Sequence, residues 1–473
     1  MKSSRLVEKS MAKRWIRSKR PCYERRVNRV LESVLVGGGL GLVAALKTHV
    51  LAILLALAGL TTTASAVDSF FINMGTLGGD SAYVSAISGD GSVVVGNSRN
   101  PSEKSEAFAW TQSGGMVGLG TLGGDESWAS FISFDGSVVV GISDTADGNA
   151  EAFVWTQTDG MAGLGTLGGN WSESHGISRD GSVVVGNSGN ADGNDEAFVW
   201  TQTDGMAGLG NLGGLSWSNS WAKAVSFDGS VVVGISGNAD DNEEAFVWTQ
   251  SGGMAGLGNL GGDGNSVAEA VSDDGSVVVG YSTNGDEEEA FVWTESGGMV
   301  GLGNLPEQEY GEAEFVSDDG SVVFGLTEGD EDTAFVWTED GGMVSLGNLG
   351  GEEYSEISGV SADGSIAVGE ADNGDNTVGF LWDNVNGMRD LTEVLIADDS
   401  LESSLAGWDY LNLRAQDVSS DGLTVTIVGN GEFEDNDRVW IARIESPVVP
   451  EPSSLILLGI ALACRFGNAR RRV

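Results

Sequence analysis

Cysteine is almost missing from this chain of 473 residues: Cys22 and Cys464 are its only two. Both fall in terminal segments that read as processed, so residues 67–446 carry no thiol. That excludes a disulfide framework and a thiolate metal centre. Histidine is equally scarce. His49 lies in the leader and His175 stands alone beyond it. A Ser-His-Asp site would have to use His175, beside which no nucleophile is evident. Proline is rare, at 6 residues against 73 glycines. Positive charge is the largest deficit. Of 69 acidic and 24 basic residues, three and twelve lie before residue 67, and one and four lie after residue 446. The remainder holds 65 acids and eight bases, a net charge of −57. Nucleic acid is thereby excluded as a partner, because phosphate binding needs clustered Lys and Arg. Anionic membrane surfaces are disfavoured, while cations and neutral polymers remain. No 3.6-residue apolar period is present, which excludes a helical solenoid. Yet 41% of the residues are hydrophobic, too many for a disordered chain.

The ends read as export signals. Residues 1–30 are basic, residues 50–60 form the apolar run "VLAILLALAGL", and "TTTASAV" follows with an A-x-A pattern at Ala64 and Ala66. This is the order of a secretory signal peptide, with cleavage expected after Ala66. The basic region is long, so either the start lies downstream or the apolar residues 34–46 belong to the leader too. A retained anchor is the alternative. At the other end stand Pro450, Glu451 and Pro452, an apolar run over 455–464, and a basic close at Arg465, Arg470, Arg471 and Arg472. The run is about half the ~20 residues of a comfortable membrane span, and the basic cluster would stay cytoplasmic. The three parts in this order resemble the PEP-CTERM sorting signal of Gram-negative bacteria. Residues 466–469 depart from it by separating Arg465 from the arginine triplet. The resemblance implies an exosortase-type processing enzyme as a partner, transient inner-membrane anchoring before processing, and delivery to the cell envelope, cell surface or extracellular matrix.

Between the ends one phrase recurs. "SFDGSVVVGIS" occurs unchanged from Ser133 and from Ser226, with close relatives from Ser88, Ser178 and Ser272. Asp-Gly pairs begin at Asp90, Asp135, Asp180, Asp228, Asp274, Asp319, Asp363 and Asp421, and a tryptophan follows each, from Trp110 to Trp440. The period is about 45 residues. Within one unit, "SESHGIS", "SVVVGNS", "EAFVWT" and "MAGLGNL" read as four strands. Asp180-Gly181 makes the first hairpin, since it tolerates the positive φ such turns demand. The valine triplet suggests burial on both faces. The glycine after each triplet is expected where strands crowd, not in a phosphate loop, because no helix follows. Four strands per unit predict an all-β fold, a β-propeller of four-stranded blades. "SFFINMGTLGG" from Ser69 supplies an orphan fourth strand, and "RVWIARIES" ends without one. The N-terminal strand is therefore expected to complete the last blade, giving eight blades, with seven as the alternative if the divergent last unit folds differently. A β-helix is the structural rival. The insertion from Thr392 is read as a closure element with a short helix over 398–405.

"EAFVWTQTDGMAGLGTLGG" from Glu151 and "EAFVWTQSGGMAGLGNLGG" from Glu244 resemble the HAF-repeat family of bacterial extracellular proteins, whose unit carries "HAFxW…GGMxxLGxLGG". The resemblance covers nearly all of residues 70–445 and implies an extracellular repeat protein with no established catalytic residues. The family's histidine is Glu or another residue in every repeat here, so nothing that depends on it carries over.

Two kinds of connection are expected on one face of the wheel. One is acidic, and offers Asp144, Asp147, Asn149 and Glu151, or Asp192, Asn194, Asp195 and Glu196, as oxygen ligands for Ca2+. Their spacing lacks the full twelve-residue calcium-loop pattern. The other carries Tyr83, Trp128, Trp171, Trp217, Trp221, Tyr310 and Tyr354, rings able to stack on a glycan. Against both stands a solvated acidic face that keeps an exported protein soluble. The "SxDG" phrases resemble sialidase Asp boxes, but those are structural turns, and carboxylates are too plentiful to single out a hydrolytic pair. The expectation is an exported, non-catalytic surface or matrix protein, with a Ca2+-dependent or glycan-binding propeller, and less so a polysaccharide-active enzyme, as alternatives.

Overall fold

The recurrent phrase builds a turn that ties itself together. In the computed structural model, Ser178 Oγ donates to Asp180 Oδ1 at 2.7 Å and accepts from the Val183 N–H at 2.9 Å. Asp180 Oδ1 also accepts from the Ser182 N–H at 2.9 Å. Gly181 follows at φ +74°, which a side chain would resist. The serine is buried here and at Ser88, Ser133, Ser226, Ser272, Ser317 and Ser361. A buried hydroxyl must be satisfied, and the Ser-x-Asp-Gly-Ser spelling satisfies it locally. The structure describes residues 69–446 except 215–218, 262–263, 285–286, 307, 330–331, 351–353, 411–412 and 435. The signal-peptide calls at Ala64 and Ala66, and the tail calls at Pro450, Glu451, Pro452, Arg470, Arg471 and Arg472, lie outside the described residues.

From each such turn a four-stranded antiparallel sheet grows. In blade three the strands are Gly168–Ile177, Val183–Asn190, Asp195–Thr201 and Gly205–Gly208, paired in that order. Seven consecutive blades follow this plan between Ala82 and Asp390. Blades five and six join into one sheet only through a single parallel bridge, Glu288 to Tyr310. The eighth blade is Arg414–Ser420, Thr424–Phe433, Asn436–Glu445 and, outermost, Phe70–Gly75. The pairing Phe70↔Arg443 through Ile72↔Ile441 sets the N-terminal strand against the last one, as the orphan strand predicted. No sheet closes on itself; the ring is carried by blade-to-blade packing. Each blade's innermost strand packs on the preceding blade, and the innermost strand of blade one, Ala82–Ile87, packs on blade eight. There the Ile87 N–H donates to Asp417 Oδ2 at 3.0 Å and the Val84 N–H to Asn430 Oδ1 at 2.9 Å. The described chain is an eight-bladed β-propeller.

Packing repeats as the sequence does. Phe198 and its counterparts Phe108, Phe153, Phe246, Phe291, Phe335 and Phe380 are fully buried between sheets, each worth about 1.5–3 kcal/mol. The glycine after each valine triplet faces an inner-strand bulge. Opposite Gly186 the register slips between Ser174 and Gly176, and a Cβ on Gly186 would strike the Glu173 carbonyl oxygen. Serines then stitch blade to blade: Ser172 Oγ accepts from the Ala152 N–H of blade two and donates to the Gly165 carbonyl.

Two local expectations are corrected. The helix spans Leu391–Ala397, not 398–405. Asp390 caps it by accepting from the Thr392 and Glu393 N–H groups, and Asp398 is already its C-cap. The insertion packs Leu391, Leu395, Leu401, Leu405 and Trp408 into one cluster with Phe71 and Trp440, which fits its reading as a closure element. Trp440, for its part, is not the eighth member of the tryptophan series. It pairs with Gly429, the register that Phe153 holds against Gly141, whereas Trp155 pairs with Val139. The larger ring stacks there on Phe71, in the same cluster as the inserted Trp408.

Candidate functional site

The acidic connections are hairpins closed by their own polar groups. In blade two the Gly148 N–H donates to the Thr145 carbonyl at 2.9 Å and the Thr145 N–H to the Asn149 carbonyl at 2.8 Å. Asp147 is exposed, and Asp144 and Asn149 are half-buried. Glu151 Oε1 accepts from the Gly165 N–H at 2.8 Å. In blade three Asp192 is exposed and Asn194 half-buried, while their N–H groups both donate to Asn190 Oδ1. The Asp195 N–H donates to Asn219 Oδ1 at 3.1 Å. Glu196 Oε1 accepts from the Gly210 N–H at 3.2 Å and its Oε2 from Asn190 Nδ2 at 2.9 Å. The proposed calcium ligands thus sit on one hairpin each, with their glutamates engaged. Among the described residues, no three or more His, Cys, Asp or Glu side chains converge to hold a metal.

The described aromatic candidates are not on loops between blades. They stand on, or beside, the innermost strands that line the axis of the ring. Tyr83, Trp128 and Trp221 share one register, each pairing one residue from the strand's bulge. Trp171, Tyr310 and Tyr354 lie two residues earlier on their strands, where Glu173, Glu312 and Glu356 take the shared register. The rings therefore form a staggered, interrupted belt. Tyr83 lines a groove of about 520 Å³ between blades one and eight, and its hydroxyl donates to Asp437 Oδ2 at 2.9 Å. The Tyr354 hydroxyl donates to Glu356 Oε2 at 2.8 Å. Trp217 lies outside the described residues.

The same axial wall holds a titratable cluster that no motif announces. Glu312 is pushed up to about 7, first by burial and then by repulsion from Glu269, with Lys223 pulling it back. Glu314, two residues on, is pushed up to about 8 by burial and by Glu312, and its Oε2 is buried without a hydrogen-bond partner among the described residues. Lys223 Nζ bridges to Glu269 Oε1 at 3.0 Å. His175 sits two positions from Glu173 on the wall. Its Nδ1 bonds the Ala222 carbonyl oxygen at 3.1 Å, and Nε2 lies 3.8 Å from Glu173, whose pKa falls through that contact. The signal for this cluster lies in alternate inner-strand residues, visible only once register is known.

On the short-turn face the Ser-x-Asp-Gly turns form a second belt. The Phe134 N–H donates to the Arg179 carbonyl and the Phe227 N–H to the Asp273 carbonyl, both at 3.0 Å. Arg179 reaches across the mouth. Its guanidinium lies 4.3 Å from the Phe134 ring centre and donates to Asp273 at 2.5 Å and to Asp318.

Residues 448–472 match the PEP-CTERM protein-sorting motif. The chain therefore carries a signal of exported proteins destined for the cell envelope. No curated protein matches it. Solved structures with related architecture include TolB from Acinetobacter baumannii, at 10% identity over 59% of this chain and 73% of that one, with a TM-score of 0.35. An oligogalacturonate lyase from Vibrio parahaemolyticus gives 9%, 80%, 94% and 0.45 on the same measures. The β-propeller domain of the Trilobed protease from Pyrococcus furiosus gives 14%, 66%, 97% and 0.42. Likeness at this level says nothing about this chain's chemistry, and the propeller assignment rests on the strand pairing above. Among the described residues no helix is long and apolar enough to cross a membrane; the apolar runs at 50–60 and 455–464 lie outside them.

Proposed function

We propose that this is an exported, non-catalytic propeller that serves as a binding or structural component of the cell surface or extracellular matrix of a Gram-negative bacterium. The observation that carries the reading is the sorting motif at 448–472 on a chain of repeated four-stranded sheets. The likeness of the repeats to the HAF family supports it. An exosortase-type enzyme would process the tail after transient anchoring in the inner membrane. The structural employment of the recurrent side chains fits a scaffold. Glutamates such as Glu151 cap the turn of the following connection, and the buried serines close hairpins and join blades.

The test is fractionation of an exosortase-bearing host expressing the full chain with an epitope inserted at the exposed Asp147 hairpin. The chain is expected in the envelope or medium, shortened at its C-terminus. Changing Pro450, Glu451 and Pro452 to alanine should leave it full-length and cell-associated. Cytoplasmic accumulation of the unaltered chain would overturn the proposal.

A further inference from the structure

Grooves between neighbouring blades open on the short-turn rim, and two of them are roomy. The groove between blades three and four has a volume of about 1010 Å³, with the Trp248 indole, Val199 and Ala207 as its apolar surface. The next groove around, between blades four and five, has about 970 Å³, with Trp293, Val247 and Ala255 in the same places. Each indole is anchored. Trp248 packs against the cluster of Val183, Ala197 and Val232, and Trp293 against that of Val233, Ala245 and Val278. The rims are hydroxyl, amide and carboxylate: Thr201, Asp228, Ser230 and Gln250 in one, Thr249, Ser276, Glu295 and Ser296 in the other. Neither groove contains Lys, Arg or His.

The outer strand gives each groove an alanine. Ala207 and Ala255 pair with Val199 and Val247. In blades one, five and six the residue at the equivalent register is the larger Val117, Val300 or Val344, each exposed. Blades two to four carry alanine there, at Ala162, Ala207 and Ala255.

We propose that these tryptophan-walled grooves on the short-turn rim bind a neutral polysaccharide, one short run of sugar rings per groove. An aromatic face with a few convergent polar groups is the usual build of a small-ligand site. A pyranose offers an apolar C–H face to the indole and hydroxyls to the Thr, Ser, Gln and Asp rim. The absence of any cation in the grooves, within a ring of net charge −57, rejects phosphorylated, sulfated and uronate chains. Two equivalent sites one blade apart suit a ligand that itself repeats, since the second contact then forms at high effective concentration. The proposal rests on the exported reading above, which gives the chain access to such polymers, and it places the sugar on the face opposite the Tyr83 and Trp128 belt.

The test uses the purified full chain and three neutral hexasaccharides, cellohexaose, laminarihexaose and mannohexaose, with a polygalacturonate hexamer as the charged comparator. Calorimetry and tryptophan fluorescence are read up to about 10 mM sugar, the range of weak single-site binding. At least one neutral sugar should bind with two or more sites per chain and perturb indole emission. Ala207→Val with Ala255→Val, which copies the repeat's own residue in other blades, should keep the melting temperature and remove two sites. Trp248→Ala should weaken its groove roughly three- to tenfold. No binding by any neutral sugar, tighter binding of the uronate, or a site count unchanged in the double valine variant would overturn the proposal. So would a dimer in sedimentation that the valine variant dissociates, because the grooves would then belong to a second copy. Correct export with no sugar binding would sink this inference and leave the localisation reading standing.

Discussion

Acid should stabilise this protein, although its net charge is strongly negative. Glu312 and Glu314 hold their protons to about 7 and about 8 in the folded ring, against an ordinary 4.5. Unfolding releases both carboxyls into water, where they ionise near their ordinary value. Between about pH 4.5 and pH 8 the folded state therefore binds more protons than the unfolded state, and stability falls as pH rises through that window. Each unit of displacement corresponds to about 1.4 kcal/mol at full effect. The two groups raise each other and keep partial access to water, so their sum is discounted to about 3 kcal/mol. Asp417, pushed up to about 6 by burial, adds to the same slope. The turn aspartates act elsewhere. Asp135, Asp228 and Asp274 are held below their ordinary value by serine hydroxyls and N–H groups. Their contribution is present above about pH 4 and lost only as pH falls through their lowered values. Circular dichroism melts from pH 5 to pH 8.5 should thus show a melting temperature falling by several degrees. Glu314→Gln should flatten the slope and raise the melting temperature at pH 8.5, since the amide carries no buried charge. A melting temperature that is flat or rises with pH, or a Glu314→Gln slope equal to the parent's, would refute the reasoning.

Two further perturbations separate the ring's closure from its surface. Phe71→Ala removes a buried ring that stacks on Trp440 and meets Trp408 edge-on, each at 5.5 Å; urea unfolding should show a loss of about 3–5 kcal/mol, and a loss below 1 kcal/mol would deny the N-terminal strand its part in the last blade. Millimolar Ca2+ is expected to give no calorimetric heat and no rise in melting temperature, because Glu151 and Glu196 already accept backbone N–H groups; a saturable heat lost in Asp147→Asn would show instead that the hairpins rearrange around the metal.

Blade number, strand order and the shared last blade were readable in the sequence because each recurrent residue answers a local demand that recurs with the fold. Ser178, Asp180 and Gly181 make one turn, and Gly186 meets one bulge. Repetition turns these local demands into a period. The helix was misplaced by about two turns although its signal was present: Asp390 and Glu393 stand at capping spacing before Leu395. The register of Trp440 was not readable, because blade eight carries a larger ring where the other blades carry phenylalanine, packed in a cluster with the inserted Trp408.

The axial wall was illegible for the opposite reason, and that is informative about where this molecule differs from blade to blade. An inner-strand side chain that faces the neighbouring blade is fixed by packing: Ala129, Ala222, Ala268 and Ala313 are all buried at one register. The residue one step before it meets no demand common to all blades. It is Tyr83, Trp128, Glu173, Trp221, Val267, Glu312, Glu356 and Arg414 in turn around the ring. Periodicity finds what the fold requires of every blade, so it is silent where the blades differ. The outer-strand choice of Ala207 and Ala255 against Val300 and Val344 is the same kind of departure, one methyl-bearing position that the blade tolerates either way. A repeat protein specialises most freely at such positions, because they answer no packing demand common to every blade. Specificity in this ring therefore belongs to the residues that interrupt its period, and the grooves at Trp248 and Trp293 and the carboxyls at Glu312 and Glu314 are where the interruption leaves open space or an unpaired group.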